Sequence, residues 1–464
     1  MLRIFRHYIP KTLVLLGLAE LLILFVSIYL GATFHIGSET VSGYVYGEGL
    51  PLWSQALVFA AAIVLGMTAM GLYRRDQRTQ PAAVMVRLVL SFACGFVLMG
   101  TAYLVYPNIM VGGATFAVAL VCSFVGIATC RLICVANDAA EAKRRVLVLG
   151  TGASARQIEN LRHGADRTGV SIVGYVDLGG DDRVVAADRI FELTGSGLWA
   201  LVEELKIEEI VVGMDDRRKG LPVDEILKCK MHGIHIMEAA DFYERQLGKI
   251  RLDALHPSNV IFADGFTQAV LKITEKRVMD IAISSFMIIL TLPVMAAVAI
   301  AIYMEGGGPI LYRQERVGRR AKRFTLLKFR SMRQDAERDG VVCARLDDER
   351  VTRVGRFIRK TRIDELPQLI NVLEGAMSFV GPRPERPQFV EEFSKAIPYY
   401  DLRHYIKPGI TGWAQILYPY GVSLNDAREK LQYDLYYLKN YSVFLDITIL
   451  LQTIQVILWG KGAR

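Results

Sequence analysis

Cysteine is scarce, with six in 464 residues and no Cys-x-x-Cys pair among them. That excludes a disulfide framework and a cysteine zinc site. Cys94, Cys122, Cys130 and Cys134 fall in apolar runs and Cys229 and Cys343 stand alone, which suits a reduced compartment or a membrane interior. Charge is thin as well, 22% of residues against 52% hydrophobic, with a mean hydropathy of +0.29. Disordered and fibrous chains are excluded by this balance, and a wholly soluble enzyme is too polar to match it. None of the twenty tyrosines has a lysine four residues on, so the Tyr-x-x-x-Lys pair of a nucleotide-sugar dehydratase or epimerase is missing. Lys and Arg are absent from 33–52, and 107–113 carries no charge at all.

What is present begins with length, which is enough for two or three folded units. Apolar stretches at 12–32, 53–72, 88–106 and 114–134 each approach the ~20 residues that cross a hydrocarbon core as helix. The first is too long for a secretion signal and has no small-residue cleavage site before His35. Arg3, Arg6 and Lys11 precede the first stretch, Arg74, Arg75 and Arg78 follow the second, and Lys143, Arg144 and Arg145 follow the fourth. The intervening loops hold Glu39 and Glu48 or nothing, so both ends of a four-helix unit over 1–138 are expected on the cytoplasmic side.

A polar segment, 139–265, opens with the buried-strand pattern Val146-Leu147-Val148-Leu149 and continues Gly150-Thr151-Gly152-Ala153-Ser154-Ala155. Further strand patterns at Ile172–Val176, Glu209–Val212 and Ile234–Met237 alternate with helical lengths, which predicts a parallel sheet with crossover helices. Gly150 and Gly152 would let a backbone approach a pyrophosphate at a helix N-terminus, and Asp177 stands where an acidic residue would meet a ribose. A bound, regulatory nucleotide and an empty structural unit are equally compatible with so short a motif.

From 270 to 464 the chain changes character again. The run Ile281–Tyr303 is long enough to span a bilayer, but Pro293 near its middle removes a backbone hydrogen bond and kinks a helix. Lys276, Arg277 and Asp280 before it and Arg313 and Arg316 after it would sit at one interface, so a re-entrant helix over 281–303 is expected. The formal charge of +8 is concentrated here: 313–363 holds seventeen Lys and Arg against seven Asp and Glu. Anionic partners follow, whether phospholipid, nucleotide or nucleic acid.

The densest constellation lies in this stretch. It comprises Lys328-Phe329-Arg330-Ser331-Met332, Asp364-Glu365-Leu366-Pro367, Gly381-Pro382-Arg383-Pro384, Lys407-Pro408-Gly409-Ile410-Thr411-Gly412-Trp413 and Tyr433-Asp434-Leu435-Tyr436-Tyr437. Pro367 is tolerated in a first helical turn, which places Asp364 near a helix N-terminus, where the dipole favours an ionised carboxylate. Such a carboxylate can attack a phosphoryl group and form an acyl phosphate. Its neighbour Glu365 could help hold Mg²⁺, and Arg383 in a proline-stiffened loop offers phosphate a bidentate fork.

Through these motifs the 270–464 segment resembles the bacterial sugar transferases, the monotopic polyprenyl-phosphate phosphoglycosyl transferases, and the whole layout is similar to their large members. The resemblance implies a membrane α-helical bundle, an α/β Rossmann-like domain and a mainly α-helical catalytic domain with a kinked re-entrant helix. It implies transfer of a sugar-1-phosphate from a UDP-sugar to undecaprenyl phosphate at the bacterial inner membrane, with soluble domains facing the cytoplasm. It makes Asp364 the nucleophile, links Asp364 and Glu365 to Mg²⁺, and puts Lys328, Arg330, Arg383 and Asp434 on substrate- and phosphate-binding positions. Membrane lipid is then a partner and nucleic acid is not, and a homodimer is left open. One departure is visible: small family members carry Ser-Pro at the helix break, where this chain has Leu292-Pro293.

Overall fold

A computed structural model describes residues 2–4, 7–9, 11–36, 51–73, 81–109, 111–138, 143–161, 169–179, 182–193, 197–216, 220–253, 255, 265–266, 270–334, 348–418, 421 and 423–459. Glu39, Glu48, Arg6, Arg74, Arg75, Arg78 and Cys343, named above, lie outside them. Two compact units are present, one ending at Gly248 and the other running from Lys249 onward.

The first unit opens with four helices, Lys11–Ile36, Leu52–Ala69, Pro81–Val105 and Gly113–Asp138. Each has a stretch long and apolar enough to cross a membrane, as has Val270–Gly306 in the second unit. Five such helices mark a membrane protein. The third helix starts earlier than its apolar run suggests, because Pro81 suits a first helical turn and Arg87 is carried along inside it. Small residues set the helix packing: a Cβ on Gly31 would strike the Thr115 carbonyl, and one on Gly66 the Ser91 carbonyl. One polar cluster lies between these helices. Glu20, fully buried, takes a 2.7 Å contact from Arg131 Nε and a 2.6 Å hydrogen bond from the Tyr73 hydroxyl.

The same unit holds a five-stranded sheet in which every pairing is parallel. Its order is Ile190–Glu192, Val170–Asp177, Arg144–Leu149, Glu209–Val212, His235–Glu238. The central strand is covered on both faces: Val146 and Val148 pack with Ala155, Ile158 and Phe242, Leu147 and Leu149 with Leu198, Val202 and Cys229. This is why its sequence reads as a continuous apolar run. The short edge strand at Ile190 carries too little apolar pattern to be foreseen.

The second unit is built on the helix Val270–Gly306, which passes through Pro293. Two residues before that proline, Thr291 Oγ1 donates 2.7 Å to the Met287 carbonyl, whereas the carbonyl that Pro293 deprives of its helical N–H is that of Ile289. An antiparallel hairpin, Leu311–Val317 with Arg323–Phe329, follows and pairs Tyr312 with Lys328. The strands Ser378–Val380 and Gly409–Thr411 pair parallel with each other as a separate two-stranded sheet. Helices Leu424–Lys439 and Val443–Trp459 complete a core containing Val380, Trp413, Leu435, Tyr436 and Ile449.

The charges at the root of the long helix have an internal role. Lys276 is buried and bonds Asp446 at 2.6 Å, and Asp280 accepts from Ser378 Oγ and the Phe379 amide, both at 3.0 Å. Arg277 donates to the carbonyls of Val372 and Leu373, each at 2.6 Å. These side chains therefore brace the protein from within.

Candidate active site

Asp364 and Glu365 lie in a single 3₁₀ turn, Ile363–Glu365, just ahead of the helix Gln368–Glu374. Arg362 enters that turn with φ 60°, a left-handed conformation unusual for a side-chain-bearing residue and a local strain of the sort found at functional sites. The helix that follows is fixed from both ends. Pro367 stands at its N-cap, and Arg277 satisfies carbonyls at its C-terminus, where a cation also meets the helix dipole favourably. Along its side, Asn371 clips it to the hairpin, donating to Thr325 O at 2.9 Å and accepting from Leu327 N at 3.0 Å. That clip brings Lys328, the next residue of the strand, to the Asp-Glu pair.

Three cations converge on one oxygen of Glu365. Lys328 Nζ lies 3.1 Å from Oε1, Arg362 Nη1 3.4 Å and Arg383 Nη2 4.0 Å. Burial alone would raise the Glu365 carboxyl, but Lys328, Arg383 and Arg362 outweigh it and hold it at about 2. Asp364 goes the other way: burial, then the adjacent Glu365 charge, push its carboxyl above the ordinary aspartate range against the pull of Lys328, Arg362 and Arg359. Two neighbouring carboxyls are thus driven apart, one locked as an anion and one poised.

Asp364 lines a cavity of about 1230 Å³ with Lys328, Arg330, Arg359, Arg383 and Asp434. Sequence-predicted residues from four separate segments therefore face one space, large enough for a ligand bigger than most small molecules. Within it their roles differ. Arg330 spends its Nη2 on the end of the long helix, donating to the Gly307 carbonyl at 2.7 Å. Asp434 is buried against Arg403 at 2.9 Å, and burial pushes it up to about 6. Arg403 also donates to the Arg383 carbonyl at 3.1 Å, so it ties Asp434 to the Gly-Pro-Arg-Pro loop. Burial likewise brings Arg316, on the cavity wall, down to about 10. The loop itself is held by glycines: a Cβ on Gly381 would strike the Lys407 carbonyl and one on Gly412 the Gly381 carbonyl. Arg277, Asn371, Arg316 and Arg403 were not singled out for these roles; a lone Asn within the apolar run Leu369–Leu373 was the one available signal.

Mg²⁺ would rest on Asp364 and on Glu365, whose Oε1 is already met by Lys328, Arg362 and Arg383. Among the described residues no group of three or more His, Cys, Asp or Glu could enclose a metal. Two adjacent carboxylates are what Mg²⁺ takes when substrate phosphates and water complete its shell.

No residue of the glycine motif of the parallel sheet is among this cavity's lining. Gly150 has φ +111°, and a Cβ there would meet the Met214 amide, so its need for glycine comes from strand packing. Gly152 is in ordinary extended conformation at the N-cap of Ala153–Glu159. The Asp215 carboxylate accepts from the Ala153 and Ser154 amides at 2.6 and 2.9 Å, taking the donors a pyrophosphate would use. Asp177 is held by Arg183 at 2.5 Å and the Gly179 amide at 2.8 Å.

The model of the bacterial sugar transferase family matches residues 271–460. A Caulobacter vibrioides UDP-glucose:undecaprenyl-phosphate glucose-1-phosphate transferase is 39% identical over 191 residues, 41% of this chain and 72% of that protein. The chain belongs to the bacterial sugar transferase family. Among its relatives, an Aeromonas hydrophila UDP-N-acetylgalactosamine-undecaprenyl-phosphate N-acetylgalactosaminephosphotransferase is 42% identical over 239 residues, 52% of this chain and 56% of that one. The Escherichia coli K12 UDP-glucose:undecaprenyl-phosphate glucose-1-phosphate transferase is 43% identical over 182 residues, 39% of each chain. The chain thus spans about half, or less, of the length of these last two.

The Asp215 contact generates a direct test. Calorimetry of the full chain with NAD⁺ is expected to show no binding, and Asp215→Ala to lose about 1 kcal/mol of stability as a missing helix cap, read by thermal unfolding. Binding of NAD⁺ to the unaltered chain would show that the carboxylate yields its place.

Proposed function

We propose that this protein is a phosphoglycosyl transferase that moves a sugar-1-phosphate from a UDP-sugar to undecaprenyl phosphate, through a covalent intermediate on Asp364. The observation that carries the reading is the buried Asp364 carboxyl beside a cation-locked Glu365, in a cavity walled by Lys and Arg. The names of the relatives support both substrates. They differ in the sugar, so the sugar is left unassigned.

In the first half-reaction a carboxylate oxygen of Asp364 bonds to the phosphorus nearest the sugar. The bond from that phosphorus to the bridging oxygen breaks, and its electron pair leaves with UMP. In the second, an oxygen of the lipid phosphate bonds to the same phosphorus, the acyl–phosphate bond breaks, and the carboxylate is restored with undecaprenyl-diphosphate-sugar as product. Lys328, Arg359 and Arg383 bind and orient phosphate oxygens in both steps. Mg²⁺ held by Asp364 and Glu365 would supply neutralisation of the diphosphate charge. Arg330 and Asp434 act at one remove, Arg330 by securing the end of the long helix and Asp434 by fixing Arg403 behind the arginine loop.

The long helix fits this chemistry as a re-entrant element kinked at Pro293, with both ends on the cytoplasmic face of the inner membrane. The parallel-sheet unit is Rossmann-like in strand order and carries no step. The bundle gives way to the sheet near 138, and the sheet to the catalytic part at Gly248–Lys249 rather than near 265.

Asp364→Asn keeps the shape and removes the nucleophile, so UMP release should fall by roughly 10³-fold or more with the fold retained. Wild type incubated with sugar-labelled UDP-sugar and no lipid should carry label on the peptide containing Asp364. Intersecting rather than parallel steady-state lines, with no trapped adduct, would overturn the covalent reading.

The pH dependence has a defined sign. Asp364 attacks only when ionised and its carboxyl is raised, so kcat/KM should fall as pH drops through a midpoint above the ordinary aspartate value of ~3.9. Lys328→Met removes a charge that favours the carboxylate and should move this acid limb to higher pH. An unchanged limb in Lys328→Met would assign it to another group.

Topology is tested separately. Cysteines introduced at Glu275 and Glu315, both exposed and on opposite sides of the apolar run, should be shielded from an impermeant thiol reagent outside intact cells. Labelling of Glu315→Cys from outside would make the helix a fifth span.

A further inference from the structure

The motif at 407–413 contributes no group to the proposed chemistry, yet it is built into the arginine loop. Its strand Gly409–Thr411 pairs with Ser378–Val380. Beyond the strand ends, the Gly381 amide donates to the Thr411 carbonyl at 2.9 Å and the Gly409 amide to the Pro382 carbonyl at 2.8 Å. Gly412 then leads into the short helix Trp413–Leu417, anchored by the buried Trp413, whose ring stacks on Tyr436 at 5.8 Å. Two residues on, this helix sets Gln415 on the cavity wall. Gln415 Oε1 accepts from Arg383 Nη1 at 3.3 Å, and among the described residues this is the side chain's one hydrogen bond.

Arg383 is under a competing attraction. Its other terminal nitrogen, Nη2, lies 4.0 Å from Glu365 Oε1, beyond hydrogen-bond reach, while Lys328 and Arg362 stand closer at 3.1 and 3.4 Å. A guanidinium and a carboxylate free to approach close to about 2.7–2.9 Å, often through both nitrogens. Arg403 fixes the Arg383 carbonyl at 3.1 Å, which leaves the long side chain beyond it to be placed by other contacts. The Gln415 oxygen draws Nη1 elsewhere. Because an amide is neutral, it restrains the guanidinium without cancelling the charge that a phosphate must meet. A carboxylate in the same place would cancel it.

We propose that Gln415 is a positioning residue for Arg383: it holds the guanidinium off Glu365, so that the fork is presented to phosphate in the cavity. The 407–413 motif is then the frame that delivers Gln415 to the arginine loop. Its glycines are where the two backbones touch, since a Cβ on Gly409 would strike the Gly381 amide and one on Gly412 the Gly381 carbonyl. The inference rests on the reading of Arg383 as a phosphate ligand and adds to it the group that keeps Arg383 available.

Binding of UMP with Mg²⁺ to the detergent-solubilised full chain, read by calorimetry, tests it. Gln415→Met keeps the length of the side chain and removes the acceptor. It should weaken UMP roughly fivefold or more with the thermal unfolding midpoint unchanged, and Arg383→Met should weaken it roughly tenfold or more. A residue that acts only through Arg383 has nothing left to do once Arg383 is gone. The double variant should therefore lie within about twofold of Arg383→Met alone, whereas a general packing role would multiply the two losses. Gln415→Glu keeps the shape but cancels the guanidinium charge, so it should weaken UMP at least as much as Gln415→Met. Multiplied losses in the double variant, or wild-type affinity in Gln415→Met or Gln415→Glu, would overturn the proposal and leave the transferase reading standing. A wild-type chain that binds no UMP would instead remove the phosphate role of Arg383, and both readings would fall together.

Discussion

A lysine taken out of water at the root of the long helix is the constraint from which the catalytic unit is organised. Lys276 is 5% exposed and sits 2.6 Å from Asp446 and 3.9 Å from Asp280, both also buried. None of these charges tolerates solitude: breaking a buried pair from one side costs about 3–5 kcal/mol. The three must therefore stay together, and each brings an element with it. Lys276 and Asp280 bring the long helix, Asp446 the last helix, and Asp280 the strand that runs into Gly381. Tyr437, donating to Asp446 at 2.6 Å, adds the remaining helix. Position at the arginine loop is thereby referred back to the long apolar helix.

The cavity adds a second constraint of opposite character. Lys328, Arg359, Arg362 and Arg383 are gathered around two acids, so the local balance is positive before any ligand arrives. Glu365 absorbs part of that field and pays for it with its own basicity, remaining an anion at any physiological pH. Asp364, one residue on the other side of the peptide bond, receives less. The different fates of two adjacent carboxyls come from where the cations point, and the left-handed Arg362 is part of how they are made to point there.

Much of the fold was legible because its signals are local. Continuous apolar runs announced the helices and the central strand, and the Glu209–Val212 strand fell where its pattern lay. The Asp364-Glu365 turn was legible from proline and glycine landmarks close in sequence. What escaped was long-range. Arg277 meets carbonyls almost a hundred residues away, and Lys276 meets Asp446 across 170. Both read from sequence as interfacial cations, because nothing beside them names a partner. Asp215 escaped for the same reason: its bond to the glycine loop spans 62 residues, and only the folded sheet brings the two together.

The pairing of Glu20 with Arg131 has a consequence for how the chain is made. The two residues are 111 positions apart, in the first and fourth apolar helices. A ribosome feeding a bilayer releases Glu20 long before Arg131 exists, and an acid in mid-helix resists lipid by about 2.5–3.5 kcal/mol on insertion scales. The first helix cannot reach its final electrostatic state until the fourth has been synthesised. Formation of the Glu20–Arg131 pair is therefore a late event of biogenesis. A truncation before residue 131 leaves the opening helix with a carboxyl and no guanidinium to receive it.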